Sequence, residues 1–153
     1  MTTTFITRKT ARDALITLFT SNNNWQKVFG YLPTEDEIKA QSPLLIIVSN
    51  GTRQEMSGVN FNKSDYSFVC TTWVKMSDIE LGGTFGHDDA EDKLDALDRE
   101  FRQVIRNTVA LDSGKAHINF SDGQSNTNTV EAEYGQLYRV ETYMITVSYP
   151  AGQ

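Results

Sequence analysis

The chain has 153 residues, 39% of them hydrophobic and 10% aromatic, and a formal net charge of −6. This composition suits one folded domain with its own core and not a disordered segment, and the excess of acid disfavours wrapping nucleic-acid phosphates. The single cysteine, Cys70, rules out an internal disulfide and a multi-cysteine zinc site.

The first ten residues, MTTTFITRKT, lack the apolar stretch of a signal peptide. The longest strongly apolar run, residues 44–48, is far short of a membrane span. The chain therefore reads as a cytoplasmic protein, in which the N-x-S/T triplets at Asn50, Asn62 and Asn119 carry no sugar.

In chain order, the first predicted element is a helix, with Ala11, Ala14, Leu15, Leu18 and Phe19 at helical spacing. Thr7 or Thr10 caps it, and residues 21–24, Ser-Asn-Asn-Asn, end it. Residues 25–31 form a short strand, and residues 33–37 one helical turn or a plain connection. After Pro43, the continuous apolar run 44–48 suits a central strand, and Asn50-Gly51 signals a hairpin turn. Residues 52–64 are polar and weakly patterned, and read as an arm or long loop. In residues 66–76, Tyr66, Phe68, Cys70, Val74 and Met76 share one side of a strand, with Cys70 a buried, inert thiol.

Residues 77–87 read as a second flexible, glycine-rich arm. A second, stronger helix follows. Asp88-x-x-Glu91 has capping-box form, and Ala90, Leu94, Leu97, Phe101, Val104 and Ile105 make one apolar stripe. Asp89/Lys93, Asp95/Arg99 and Asp98/Arg102 are spaced for i,i+4 pairs. Asp112-Ser113-Gly114 closes the segment, and residues 116–120 and 129–134 are strands around a polar loop. The closing strand, Leu137–Tyr149, spans ~40 Å if extended. Both its faces mix apolar and polar residues, so it either twists around a helix or runs past its own subunit. The order predicts one α+β domain over 1–153: a mainly antiparallel sheet with two helices packed on one face.

The chemical motifs are few. No Walker loop, nucleophile elbow, H-E-x-x-H or zinc-knuckle spacing occurs. Gly82-Gly83-x-x-Gly86 lacks a following Lys-Ser/Thr, and Asp88 and Asp89 would repel a phosphate there. His87, Asp88 and Asp89 are of metal-ligating type, but helix capping already accounts for the acids, and His117 lies in a separate strand. Asp122, Gln124, Asn126 and Glu133 only faintly copy a calcium loop, with Thr127 where that loop needs glycine. No catalytic residue, metal site or cofactor is expected. The candidate contact is a basic cluster, Arg8, Lys9 and Arg12, unusual on an acidic chain and suited to an acidic neighbour such as a second copy.

Taken in order, the helix TARDALITLF, the strand SPLLIIV, the turn SNG with its polar arm, the strand YSFVCTTWV, the helix EDKLDALDREFRQVI and the closing YGQLYRVETYMITVSY carry a resemblance. The chain resembles the tail terminator (tail completion) proteins of long-tailed bacteriophages of the lambda type. It differs from them in a longer 113–128 region and in the glycine-rich segment before the second helix. The resemblance implies a non-enzymatic virion protein, assembled in the host cytoplasm as a hexameric ring on the tail tube. Such a ring stops tube polymerisation and offers a surface to the head-completion (connector) protein. DNA passes through without specific binding, and no membrane or cofactor takes part. Two other readings stay open: a head-closure or other neck protein of the same virion, and a small metal- or ligand-binding module with a cleft near His87 and Asp88.

Overall fold

The computed structural model describes residues 7–39, 42–57, 60–76, 87–108, 110–120, 123–132 and 135–150. Helix α1 (Arg8–Ser21) starts where Thr7, in extended conformation, accepts a hydrogen bond from the Thr10 N–H. It stops at Asn22, whose N–H donates to the Phe19 carbonyl, followed by Asn23, with φ 55°, whose N–H donates to the Thr20 carbonyl. Strand β1 (Lys27–Phe29) and the one-turn helix α2 (Glu35–Lys39) follow. Here Thr34 and Glu37 form a reciprocal capping box: Thr34 accepts from the Glu37 N–H, and Glu37 accepts from the Thr34 N–H.

Strand β2 (Leu44–Ser57) and strand β3 (Asn60–Lys75) make one long antiparallel hairpin. Asn50-Gly51 is therefore not a turn. The chain passes through it as a bulge, with Gly51 at φ 152° and the register slipping between Ser49 and Gly51. Residues 52–57 and 60–64, expected as an arm or loop, are strand residues paired across this hairpin. Of the expected arm at 77–87, residues 77–86 lie outside the described residues, and His87 begins helix α3 (His87–Asn107).

Strands β4 (His117–Asn119), β5 (Ser125–Glu131) and β6 (Leu137–Tyr149) complete a six-stranded sheet of order β1-β2-β3-β6-β4, with β5 also on β6. Among the described strands, only β1 and β2 run parallel. β6 does not run past its subunit: β3 pairs it from Tyr138 to Tyr149, and β5 and β4 line its other edge. The element that overhangs is the β2–β3 hairpin, because β6 ends opposite Ser64 and, among the described residues, 60–63 of β3 have no partner on that side. β4 and β5 are one edge strand with an insertion. From Asn119 to Ser125 it uses six residue steps where β6, from Thr146 to Tyr143, uses three.

The main core lies between the sheet and the pair α1 and α3. Ala11, Leu15 and Phe19 from α1 and Leu94, Leu97 and Phe101 from α3 meet Tyr66, Phe68 and Cys70 of β3 and Tyr143, Ile145 and Val147 of β6. Each such side chain contributes ~1.5–3 kcal/mol when removed from water. Phe101 stacks between Phe19 and Tyr143, and Trp25 meets Phe19 edge-on at 5.5 Å while its indole N–H donates to the buried Thr72 hydroxyl. On the opposite face a smaller cluster joins Phe29, Leu44 and Ile46 to Ile38 of α2, Val48 and Trp73. Tyr138 and Val140 of β6 are buried on this face too, while Met144 is 55% exposed there.

Candidate interface site

The basic cluster sits on the first turns of α1. Lys9 is already engaged, donating to Asp13 at 2.6 Å in an i,i+4 pair. Arg8 is exposed and Arg12 half-buried, and Arg12 runs beside Gly30, just after β1. A Cβ on Gly30 would meet Ile16 Cδ1 at 2.4 Å, so Gly30 lets α1 lie close against this edge of the sheet. The cluster therefore flanks the β1 end of the sheet, and its available charge comes from Arg8 and Arg12.

At the other edge, charged side chains are tied into a network absent from the sequence expectations. Glu141, only 7% exposed, lies on the helix side of β6 and accepts from the Ser125 and Thr127 hydroxyls. Arg102 of α3 donates to Asp98 and Ser125, each at 2.9 Å, and to the Gly123 carbonyl, and its guanidinium lies 5.3 Å from the Phe120 ring centroid. The Tyr143 hydroxyl donates to Asp98 at 2.7 Å. This arrangement fastens the inserted residues of the edge strand to α3. Burial, and then the Asp98 carboxylate, push the Tyr143 hydroxyl far above its ordinary range.

Glu91 accepts from Arg139 of β6 at 2.7 Å, while the Asp88 side chain of the expected capping box lies outside the described residues. That bond, followed by the charge of the same guanidinium, lowers the Glu91 carboxyl below its ordinary 4.5 against a smaller opposing effect of desolvation. Of the i,i+4 pairs anticipated on this helix, Asp98/Arg102 forms. A strand residue such as Glu141 amid apolar alternation was the available signal for this network, as was Arg139 two residues earlier.

Cys70 is fully buried, and burial raises its thiol far above the ordinary value, as an inert core cysteine requires. His117 is an exposed residue on β4, apart from the start of α3. Asp122 and Glu133, of the faint calcium-loop spacing, lie outside the described residues. Among the described residues, no three His, Cys, Asp or Glu side chains gather as metal ligands. An open groove of about 470 Å³ runs between the ends of α1 and α3, lined by Leu18, Asn22, Glu100, Gln103, Val104 and Asn107. Among the described residues, no helix is long and apolar enough to cross a membrane. No family model matches this chain, and no curated protein matches it in sequence.

What the arrangement offers chemically is edges and charge. One edge of the sheet carries Arg8 and Arg12, while the other carries Glu131 on β5 and Asp95 on the neighbouring face of α3, both exposed.

Proposed function

We propose that this chain is a non-enzymatic structural subunit of a long-tailed phage, a tail terminator that forms a ring, of six copies, on the end of the tail tube. The ring stops tube growth and receives the head-completion protein, while DNA passes through it without specific binding. The observation that supports this reading most is the overhanging β2–β3 hairpin on a sheet covered by α1 and α3 on one face. A two-stranded ribbon is marginal alone and gains stability from packing on a neighbour. The order of elements is the one carrying the resemblance, and Arg8 and Arg12 at one edge suit an acidic neighbour.

Complementation tests it. In a phage lacking this gene, a terminator's absence yields overlong tails, and supplying the chain restores their length. Tails of normal length that stay unjoined to heads would assign the chain to head closure. Normal tails joined to heads would reject both roles.

A further inference from the structure

Two edges of this sheet are open. Among the described residues, β1 covers the outer side of β2 only at residues 44–46, no strand lies beyond β2 from Ile47 to Gln54 on that side, and none lies on the outer side of β5. Bond alternation decides which residues point outward. The Ala132 N–H bonds to the Gln136 carbonyl, so the even residues of β5 bond to β6. Ser125, Thr127, Thr129 and Glu131 therefore direct their backbone groups away from the sheet. The Met76 N–H bonds to the Leu137 carbonyl, so β3 turns its odd residues toward β2. That leaves Ile47 and Ser49 pointing outward before the bulge, and Thr52 and Gln54 after it.

We propose that the outer edge of β5 in one copy pairs with the outer edge of β2 in the next, making the sheet continuous between copies. The proposal takes from the ring reading only that copies join head to tail. Four strands, β2, β3, β6 and β5, separate the two edges and alternate in direction. With an even number, copies facing the same way meet antiparallel at the joint. β1 blocks pairing up to Ile46, so the first register that seats all of β5 sets Glu131 opposite Ile47 and Thr129 opposite Ser49. The β2 bulge absorbs one residue, and Thr127 then meets Thr52 and Ser125 meets Gln54. All four outward positions on each edge find a partner.

Charge agrees with this register. Ile47 follows the residue paired with Phe29, so Glu131 arrives beside Gly30, where Arg12 lies. The slide is also the right size for closure. Within one copy Ile47 shares a row with Cys70, Tyr143 and Ser125, so the joint is displaced by six residues. A displacement of ~20 Å across four strands ~19 Å wide tilts the strands by ~45°, close to the tilt of closed barrels. A head-to-tail joint of this kind generates a ring when the rotation closes.

The test is disulfide trapping. Arg53 and Asn126 face each other across the joint, and Cys70 is buried and does not compete. Concentrated Arg53→Cys/Asn126→Cys protein, oxidised and run without reductant, is expected to give a ladder of multimers, and neither single variant more than a trace of dimer. Strong dimer from Arg53→Cys or Asn126→Cys alone would show like edges pairing and overturn the proposal, as would a double variant that stays monomeric. Thr129→Pro removes one outward N–H and no backbone bond to β6, and gives up the bond that the Thr129 hydroxyl accepts from the Arg139 side chain. It should abolish the ladder in the double-cysteine background with an unchanged far-UV spectrum. A full ladder from that variant contradicts the joint. Rings that form without cross-linking overturn the joint and leave the ring reading standing. A ladder from a chain that does not complement tail length separates the two the other way.

Discussion

Phe101 of α3 stacks on Tyr143 of β6, ring centroids 3.9 Å apart and planes 15° from parallel. With Phe19 on its other side at 4.9 Å, Phe101 joins both helices to the strand at the middle of the sheet. A carboxylate at this place, or at Leu97, is buried without a partner and costs several kcal/mol against a total stability of ~5–15 kcal/mol. Leu97→Asp and Phe101→Asp are expected to be unfolded in thermal melts. Asp95→Ala, at an exposed position, should move the midpoint hardly at all. A Phe101→Asp protein melting near the wild-type midpoint contradicts the packing.

Tyr143 and Tyr149 set the alkaline limit. Burial comes first for both, followed by hydrogen bonds to Asp98 and Asp112, and both hydroxyls are raised above the ordinary 10.0. A group with a raised folded-state pKa stabilises fully below its unfolded value, and the contribution is lost as pH rises through the folded one. Stability should therefore hold to pH about 10 and fall above it. Urea titrations at pH 8 to 11 check this, and Tyr149→Phe should flatten part of the fall. An alkaline fall unchanged in Tyr143→Phe/Tyr149→Phe would assign it elsewhere.

Acid acts through Glu91. Its carboxyl is lowered by Arg139, so the pair's contribution is present above the ordinary Glu value of 4.5 and disappears as pH drops through the lower folded value. Glu91→Gln should weaken the protein slightly at pH 7, because the pair is partly exposed and screened. Its stability curve should converge on wild type as pH falls below the ordinary Glu value. Parallel curves across that range contradict the linkage.

The helices were legible because their apolar residues recur at helical spacing and Thr7 caps in the ordinary way. The even side of β3 was legible by alternation, and Tyr66, Phe68, Cys70, Val74 and Met76 are all buried. Local signals failed where long-range pairing overrode them. Asn50-Gly51 looks like a turn, but β3 pairs on both sides of it and turns it into a bulge. Arg139, 48 residues away from Glu91, gives it a charged partner that no local pattern announces. Thr34 and Glu37 form a capping box with the T-x-x-E signature, in a segment whose residues suit either a helical turn or a connection. Residues 125–128 are too polar to read as strand, and they become one because β6 needs an edge partner. The basic cluster was visible in composition, but its division into a paired Lys9 and available Arg8 and Arg12 needed coordinates.

That division sharpens the charge-reversal experiment. Arg8→Glu/Arg12→Glu should leave the melting midpoint within the small range of surface changes and impair assembly. Full reversal with Lys9 takes the net charge to about −12 and also sets like charges at positions 9 and 13. Tail complementation with electron microscopy reads the outcome. Overlong tails from the folded double variant support the contact, and tails of normal length joined to heads reject it.

The central claim is a closed ring on the tube end, and the most direct measurement is the number of copies bound there. Because tube ends favour the assembled form by mass action, mass photometry should be done on purified tail tubes with added protein. The account predicts about six copies of the 17.2 kDa chain per end. Two or three copies per end, or binding that keeps growing along the tube, would contradict it.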